Sequence, residues 1–217
     1  MPGSRIFSGY DVVDNRHFTR GAGEARRNPS LRPSMGLPPT YFLASCRFEA
    51  VKNIPRLFEA YARYRQVASA PWSLVLLGDG RMAPQVRAEI ARLRLQDSVL
   101  LPGFRQYEDL PGYYAPASCF VLASTSETWG LVVNEAMAAG LPVLVSNRCG
   151  CAPDLVDEGG NGFTFDPYNV EELAALMLRI SALPEEQRLA MGQRSRQIIS
   201  RWTPETFAEN LMKAVEA

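Results

Sequence analysis

The chain has 217 residues, enough for one well-packed core and at most a domain with an extension. Its 23 basic and 23 acidic residues cancel, so no overall field attracts nucleic acid or an anionic membrane, and we expect no nucleic-acid partner. The single histidine, His17, argues against serine–histidine hydrolysis and histidine-rich metal sites within the chain.

The sequence shows neither a membrane-spanning segment nor an export signal. No apolar run approaches the ~18 residues of a membrane-spanning helix. The first residues lack the apolar core of a signal peptide. We therefore expect a cytoplasmic protein.

The first part of the chain, residues 15–38, combines arginine, glycine, proline and serine without apolar periodicity. This composition predicts a flexible loop and leaves His17 remote from any site. We expect its arginines to be solvated, and the alternative is that they touch a lipid headgroup or a polyanionic acceptor at a membrane surface in the full-length protein. The arginines concerned are Arg16, Arg20, Arg26, Arg27 and Arg32.

From residue 41 onward, short apolar runs alternate with segments of helical periodicity, such as the one with Ile54, Leu57 and Phe58. The predicted strands are 41–45, 73–77, 99–101, 119–123, 142–146 and 162–165. The alternation predicts an α/β fold with a parallel sheet that helices cover on both faces. Ligands of such sheets bind beyond the carboxyl ends of the strands.

The last part of the chain is predicted to be helical. Apolar residues recur at helical spacing after residue 170, Pro184 interrupts them, and a further helix is predicted over 185–200. Thr203 is the predicted cap of the last helix and Pro204 its first position. The apolar side chains Phe207, Leu211 and Val215 of that helix need a surface to pack against.

The most informative segment is 126–138, which follows the predicted strand 119–123. A loop leads from that strand into a short helix predicted over 130–139. The first N–H groups of this helix have no partner within it, so they form an anion site. Glu127 lies in the loop. Glu135 is about five residues into the helix, roughly 7 to 8 Å along the helix axis from its start. Carboxylates accept hydrogen bonds from hydroxyls, so an anion with two flanking acids predicts a nucleoside diphosphate sugar as ligand.

The segment around Glu127, seven intervening residues and Glu135 resembles the E-x7-E signature of retaining glycosyltransferases with the GT-B fold, of the glycosyltransferase family four type. Four further segments resemble steps of the same family in the same order: 41–47 with Lys52 and Asn53, 74–80, 99–104, and 161–163 with 166–167. Residues 6–14 resemble the passage between the two halves of these enzymes. The resemblance covers roughly residues 41–167 and implies a Rossmann-like three-layer sandwich, one half of a GT-B fold.

The resemblance also implies how the chain is organised. Residues 1–38 correspond to the connection between the halves and a flexible loop, 39–181 to the donor-binding domain, and 182–217 to C-terminal helices. The N-terminal, acceptor-binding half is missing from the matched region. We therefore expect the chain to bind a nucleotide-sugar donor and to transfer little sugar by itself.

Particular residues match the functional positions of the family. The resemblance implies catalytic roles for Arg47, Lys52 and Glu127, with the two cations holding the diphosphate and Glu127 contacting the donor sugar. It implies donor binding, including the ribose at Glu135, by Gly78, Gly80, Phe104, Arg105, Thr128, Trp129, Gly130, Leu131 and Glu135. It implies no metal and no cofactor beyond the donor substrate.

Three alternatives stay open. Gly78, Gly80 and Ala83 fit G-x-G-x-x-A, the turn of a dinucleotide-binding module, but Pro102 and Gly103 stand where that module needs a ribose-binding acid. A nucleotide-sugar epimerase of related fold would need ionisable groups beside the sugar. A non-catalytic nucleotide-sugar-binding subunit would need a separate acceptor chain.

Overall fold

A computed structural model describes residues 9–216 as an α/β sandwich. Six parallel strands form one sheet in the order β3-β2-β1-β4-β5-β6. The strands are β1 Tyr41–Ser45, β2 Ser73–Leu77, β3 Val99–Gly103, β4 Cys119–Leu122, β5 Val143–Ser146 and β6 Gly162–Phe165. The predicted parallel sheet is confirmed. Three strands have the predicted bounds, and the other three differ from them by one or two residues.

Ten α-helices lie within the described residues. They are α1 Asn15–Arg27, α2 Leu31–Ser34, α3 Ile54–Val67, α4 Ala83–Arg92, α5 Leu110–Tyr114, α6 Leu131–Ala138, α7 Ala152–Leu155, α8 Val170–Ala182, α9 Glu185–Ile199 and α10 Pro204–Glu216. Short 3₁₀ turns, Ala50–Lys52 and Tyr107–Asp109, precede α3 and α5. No helix among these is long and apolar enough to cross a lipid bilayer.

Two apolar clusters cover the two faces of the sheet. Along β1, Tyr41 and Leu43 point into the cluster beneath α1, α5 and α6, whereas Phe42 and Ala44 point into the cluster beneath α3, α4 and α8. Side chains that alternate between the faces, all of them apolar and buried, are typical of a parallel strand inside a three-layer sandwich. The predicted fold class is therefore confirmed.

The prediction of a loop over 15–38 is wrong, because 15–27 form the helix α1. Asp14 caps this helix, since its carboxylate accepts from the N–H groups of Arg16 and His17 at 2.9 and 3.1 Å. Phe18 and Ala22, one turn apart, are fully buried in the core. The apolar stripe of α1 is only two residues wide, which is why periodicity did not reveal it. Of the segment 6–14, which resembles an inter-domain passage, residues 6–8 lie outside the described residues.

Arg26 and Arg20 of α1 have partners, although Arg16 and Arg20 stay mostly exposed, as expected for solvated arginines. Arg26 donates to the carbonyl oxygens of Ala115 and Ala139 at 3.0 and 2.8 Å. Arg20 pairs with Glu24 one turn away at 2.9 Å. The helix is thus fastened to the domain by its buried stripe and by Arg26.

At the other end of the chain, the prediction of Thr203 as a cap is confirmed, because its hydroxyl accepts from the N–H of Thr206 at 3.2 Å. α10 begins at Pro204 as predicted. Its apolar residues stay accessible, with Leu211, Met212 and Val215 more than half exposed. α9, by contrast, contributes Met191 and Ile199 to the core.

We predict that Phe18→Ala lowers the free energy of unfolding by about 3 to 5 kcal/mol, because it leaves a cavity in the core beneath α1. The matched control is Phe207→Ala in α10, where the ring is 36% exposed and the same truncation removes less burial. Urea unfolding of the two variants checks this expectation. Equal losses would show that α1 is not part of the cooperative core.

Candidate functional site

The candidate site lies where the strand order reverses. β1 and β4 are neighbours, but β2 follows β1 on one side and β5 follows β4 on the other, so the connections leave in opposite directions. A crevice forms beyond the carboxyl ends of strands at such a point, and α/β proteins bind their ligands there. Arg47 follows β1, and the segment that carries Glu127 and Gly130 follows β4.

A cleft of about 330 Å³ occupies this place. Five of the residues singled out from the sequence line it together: Arg47, Gly78, Phe104, Arg105 and Glu135. They come from four separate stretches of the chain, and the carboxyl ends of β1, β2 and β3 bring them to the start of α6. Phe104 is 66% exposed, so an apolar ring is available at the rim of the cleft.

Lys52 and Glu127 form an ion pair beside this cleft. The pair is mostly buried, since their side chains are 17% and 20% exposed. The Ser124 hydroxyl donates to the same carboxylate at 3.2 Å. The thiol of Cys46, which lines the cleft, lies within electrostatic reach of both charges. A lysine just before a helix start is unfavourable, and Glu127 supplies the negative charge that offsets it.

The start of α6 carries three backbone N–H groups that no acceptor in the described part of the chain receives: those of Gly130, Leu131 and Val132. Gly130 makes this start sharp, with φ +110° and its Cα close against the Leu122 side chain, where a Cβ would come within 3.0 Å. Val132 also lines the cleft. Adjacent N–H groups at a helix start attract negative charge, so this edge of the cleft suits an anion.

Not every residue of this segment presents its side chain to the cleft. The indole of Trp129 is buried, donates to the Asn134 side chain at 3.0 Å and packs on Trp202 with ring centroids 4.8 Å apart. Thr128 is exposed, and its carbonyl lies against Gly150. Any contact that Trp129 makes with a ligand would therefore come from its backbone.

Glu135 is the most perturbed acid of the site. Burial raises the pKa of its carboxyl to about 7, while a hydrogen bond from Tyr114 and the nearby His17 act in the opposite direction. The Tyr114 hydroxyl donates to Glu135 Oε2 at 2.7 Å. The placement of His17 far from any site is wrong, because it lies on α1 and its ring stacks on Tyr107, next to Glu135. The reason is again the missed helix α1.

Gly78 and Gly80 have a close packing role. Gly78 has φ +125°, and a Cβ there would lie 1.9 Å from the carbonyl oxygen of Cys46. A Cβ on Gly80 would lie 2.7 Å from the carbonyl oxygen of Phe48. The glycines let the loop after β2 pack on the loop after β1, and Gly78 also borders the cleft. Arg105 donates to the Pro102 carbonyl at 2.7 Å, with its guanidinium over the Tyr113 ring.

Sequence reasoning did not assign a role to Asn53, Tyr114 or Ser124. Asn53 is buried at φ 57° and donates to the carbonyl oxygens of Ala123 and Pro167 at 3.0 and 2.8 Å. It thereby ties the loop after β1 to the end of β4. An asparagine just before a helix was a usable signal, since asparagine tolerates the left-handed conformation. Nothing in the local sequence around Tyr114 points to Glu135, 21 residues away.

A larger groove, of about 940 Å³, lies between α1 and α5 and shares only Arg105 with the cleft. Charges of both signs line it, among them Arg16, Arg20, Glu24 and Glu108. We assign the candidate site to the smaller cleft, because of the two it is the one that lies at the carboxyl ends of the strands and that Val132 and Glu135 of α6 line.

Comparison with known proteins decides the family. Residues 32–198 match the family described as glycosyl transferases group 1. The chain belongs to this family. It is 30% identical over 217 residues to the D-inositol 3-phosphate glycosyltransferase of Corynebacterium kroppenstedtii, a match that covers 97% of this chain and 47% of that protein. The chain spans about half the length of the curated relatives it matches.

Two solved structures share the fold. HepE of Anabaena, crystallised in complex with UDP, superposes with a TM-score of 0.79 at 23% identity over 94% of this chain and 56% of that chain. The C-terminal domain of LpcC from Francisella tularensis, a glycosyl transferase group 1 family protein, superposes with a TM-score of 0.71 at 18% identity over 88% of this chain and 99% of that domain. The family match and the shared fold agree, because the LpcC domain is described as belonging to the same family.

We predict that Asn53→Ala lowers the free energy of unfolding by about 3 kcal/mol, because two buried carbonyl groups lose their donor. The control is Arg94→Ala, at an exposed residue with nearly the same backbone conformation, φ 55°. The left-handed strain of an alanine is then common to both variants, and the difference reports the hydrogen bonds. Similar urea midpoints for the two variants would contradict the role given to Asn53.

Proposed function

We propose that this domain binds the nucleoside diphosphate sugar donor of a retaining glycosyltransferase of the family four type. The observation that carries the proposal is the cleft at the strand reversal, which combines Arg47 and Glu135 with the free N–H groups that open α6. The match to the family supports sugar transfer by the whole protein. The relative HepE, whose structure contains UDP, supports a donor of this chemistry.

The diphosphate is assigned to the N–H groups of Gly130, Leu131 and Val132, with Arg47 and Lys52 on the opposite side. Its negative charge grows as the bond from phosphate to sugar breaks, so cations and amides that are already in place stabilise the transition state more than the bound donor. Lys52 is also engaged by Glu127. The donor phosphate is then a second partner for an ammonium group that has three hydrogens to donate.

The two acids are assigned to the two sugars of the donor. Glu127, held by Lys52 and Ser124, is placed to accept from hydroxyls of the transferred sugar. Glu135, on the far side of the amide cluster, is placed to accept from the ribose. In this arrangement no side chain has to attack the sugar. Transfer then follows a front-face route in which the leaving phosphate helps to deprotonate the acceptor, and the protein's own cations supply the positive charge without a metal.

Acceptor binding and cellular location are properties of the whole protein. We propose that an N-terminal half of the GT-B type binds the acceptor opposite this cleft, and that these residues alone hold the donor without transferring it at a useful rate. We further propose that the protein is cytoplasmic and uses nucleotide sugars of that compartment as donors. Contact with a membrane through the full-length protein is the alternative proposal for the exposed arginines Arg16 and Arg20.

We predict that UDP-, GDP- or ADP-sugar binds the domain in a calorimetric titration, and that Lys52→Ala weakens binding roughly tenfold or more, because a charge-assisted hydrogen bond to phosphate is lost. The matched control is Lys213→Ala, which changes the chain's other lysine, exposed on α10. Binding of the donor should persist in excess EDTA.

Three outcomes would count against this function or its mechanism. Absence of heat with all three donors and with the free nucleoside diphosphates would contradict donor binding by the domain. Equal donor affinities of Lys52→Ala and Lys213→Ala would contradict the assignment of the diphosphate to this cleft. A loss of binding in EDTA that Mg²⁺ restores would replace the metal-independent mechanism by a metal-assisted one.

A further inference from the structure

Tyr114 makes a contact for which donor binding by itself gives no reason. Its ring is fully buried beneath the sheet, stacked on Phe120 with centroids 5.8 Å apart and edge-on to Phe18 at 5.6 Å. The only freedom left to such a ring is rotation about its own axis, which does not move the hydroxyl. That hydroxyl donates to Glu135 Oε2 at 2.7 Å. One oxygen of the carboxylate is therefore held at a fixed point by the core.

The surroundings of Glu135 contain little else to orient it. Within residues 9–216 no lysine or arginine forms an ion pair with its carboxylate. The titratable groups around it on neighbouring elements are Tyr114 of α5, His17 of α1 and Tyr107 of the 3₁₀ turn. Those that share its cleft are Cys46, Arg47, Asp79 and Arg105. Tyr114 is the group that bonds the carboxylate directly.

We propose that Tyr114 is a positioning residue which holds Glu135 with one oxygen fixed and the other presented to the ribose diol of the donor, so that ribose recognition depends on the ionised form of Glu135. This inference rests on the proposed function. Tyr114 is the residue that orients the ribose-binding acid, and the ionised carboxylate is the state in which that acid works.

The sign of the pH dependence follows from the hydrogen bonds. A ribose diol donates two hydrogens, and only the ionised carboxylate accepts both while also accepting from Tyr114. Because burial raises the pKa of Glu135 to about 7, the acid is partly protonated at neutral pH. Preference for ribose should thus increase as the pH rises through this value and level off above it. The Tyr114 hydroxyl stabilises the ionised form, so its removal raises the pKa of Glu135 further.

The experiment measures ribose preference separately from donor binding. Calorimetry gives the affinities of the nucleoside diphosphate that binds best among UDP, GDP and ADP, and of its 2′,3′-dideoxy analogue, between about pH 5.5 and 8.5, around the raised pKa of Glu135. Both probes carry the same phosphates, so the ratio of their affinities cancels phosphate titration. The ratio isolates the contact to the diol.

For Tyr114→Phe we expect the preference for ribose at neutral pH to fall roughly tenfold and its midpoint to move about one pH unit higher, as expected for the loss of one hydrogen bond to a charged group. Binding of the dideoxy analogue should stay unchanged. The matched control is Tyr61→Phe, another fully buried tyrosine whose hydroxyl donates to the carbonyl oxygens of Trp72 and Ser98 beneath the opposite face of the sheet. It should keep the wild-type midpoint.

Glu135→Gln completes the test, because it removes the titrating group. Its preference for ribose should be low and independent of pH, and adding Tyr114→Phe should change it no further. A preference that still rises with pH in Glu135→Gln overturns the inference, even if Tyr114→Phe fails to fold. A wild-type pH profile in Tyr114→Phe overturns it as well and leaves donor binding intact. No binding of any nucleoside diphosphate by the wild-type domain removes the proposed function together with the inference.

Discussion

The ion pair between Lys52 and Glu127 joins the two strands at which the sheet reverses its order. Lys52 follows β1 and Glu127 follows β4, and the N–H of Thr125 donates to the Val51 carbonyl at 2.8 Å, so the two loops are tied by backbone as well. Both charges are mostly withdrawn from water, and removing either one would leave the other uncompensated in a poorly hydrated place. Two helices begin from these loops, α3 just after Lys52 and α6 a few residues after Glu127, so Glu135 and the N–H groups that open α6 take their positions from the loop after β4.

Much of the fold could be predicted from the sequence because its strands are short, apolar and bounded by polar turns. β1 and β2 have the predicted bounds because they are nearly continuous apolar runs, and β6, at the edge of the sheet, has them although Thr164 interrupts its apolar residues. α1 could not be predicted in this way. Only Phe18 and Ala22 are buried in it, and most of its remaining surface is polar, so composition outweighed a two-residue stripe.

The residues of the candidate site also differ in whether the sequence alone could place them. Residues that end strands could be placed from the sequence, because parallel strands bring their carboxyl ends to one edge whatever the details of packing. Tyr114 could not, since its contact with Glu135 depends on how α5 packs against α6. The side chain of Trp129 could not be placed either. Its neighbours in sequence suggest the cleft, but its indole packs on Trp202 and bonds Asn134, so the size of this side chain reflects the packing of the C-terminal segment.

The charges around the cleft are arranged so that an anion can enter a site that contains two acids. Glu127 is already neutralised by Lys52, and Glu135, whose pKa burial raises to about 7, carries only part of a negative charge at neutral pH. Arg47 is exposed at the rim, 3.6 Å from Glu49, and the free N–H groups of α6 add positive potential. Two fully ionised acids without these partners would repel a diphosphate at this distance. Under the proposed function, the acids could accept from the sugars of a donor because Lys52 neutralises Glu127 and burial lowers the negative charge of Glu135.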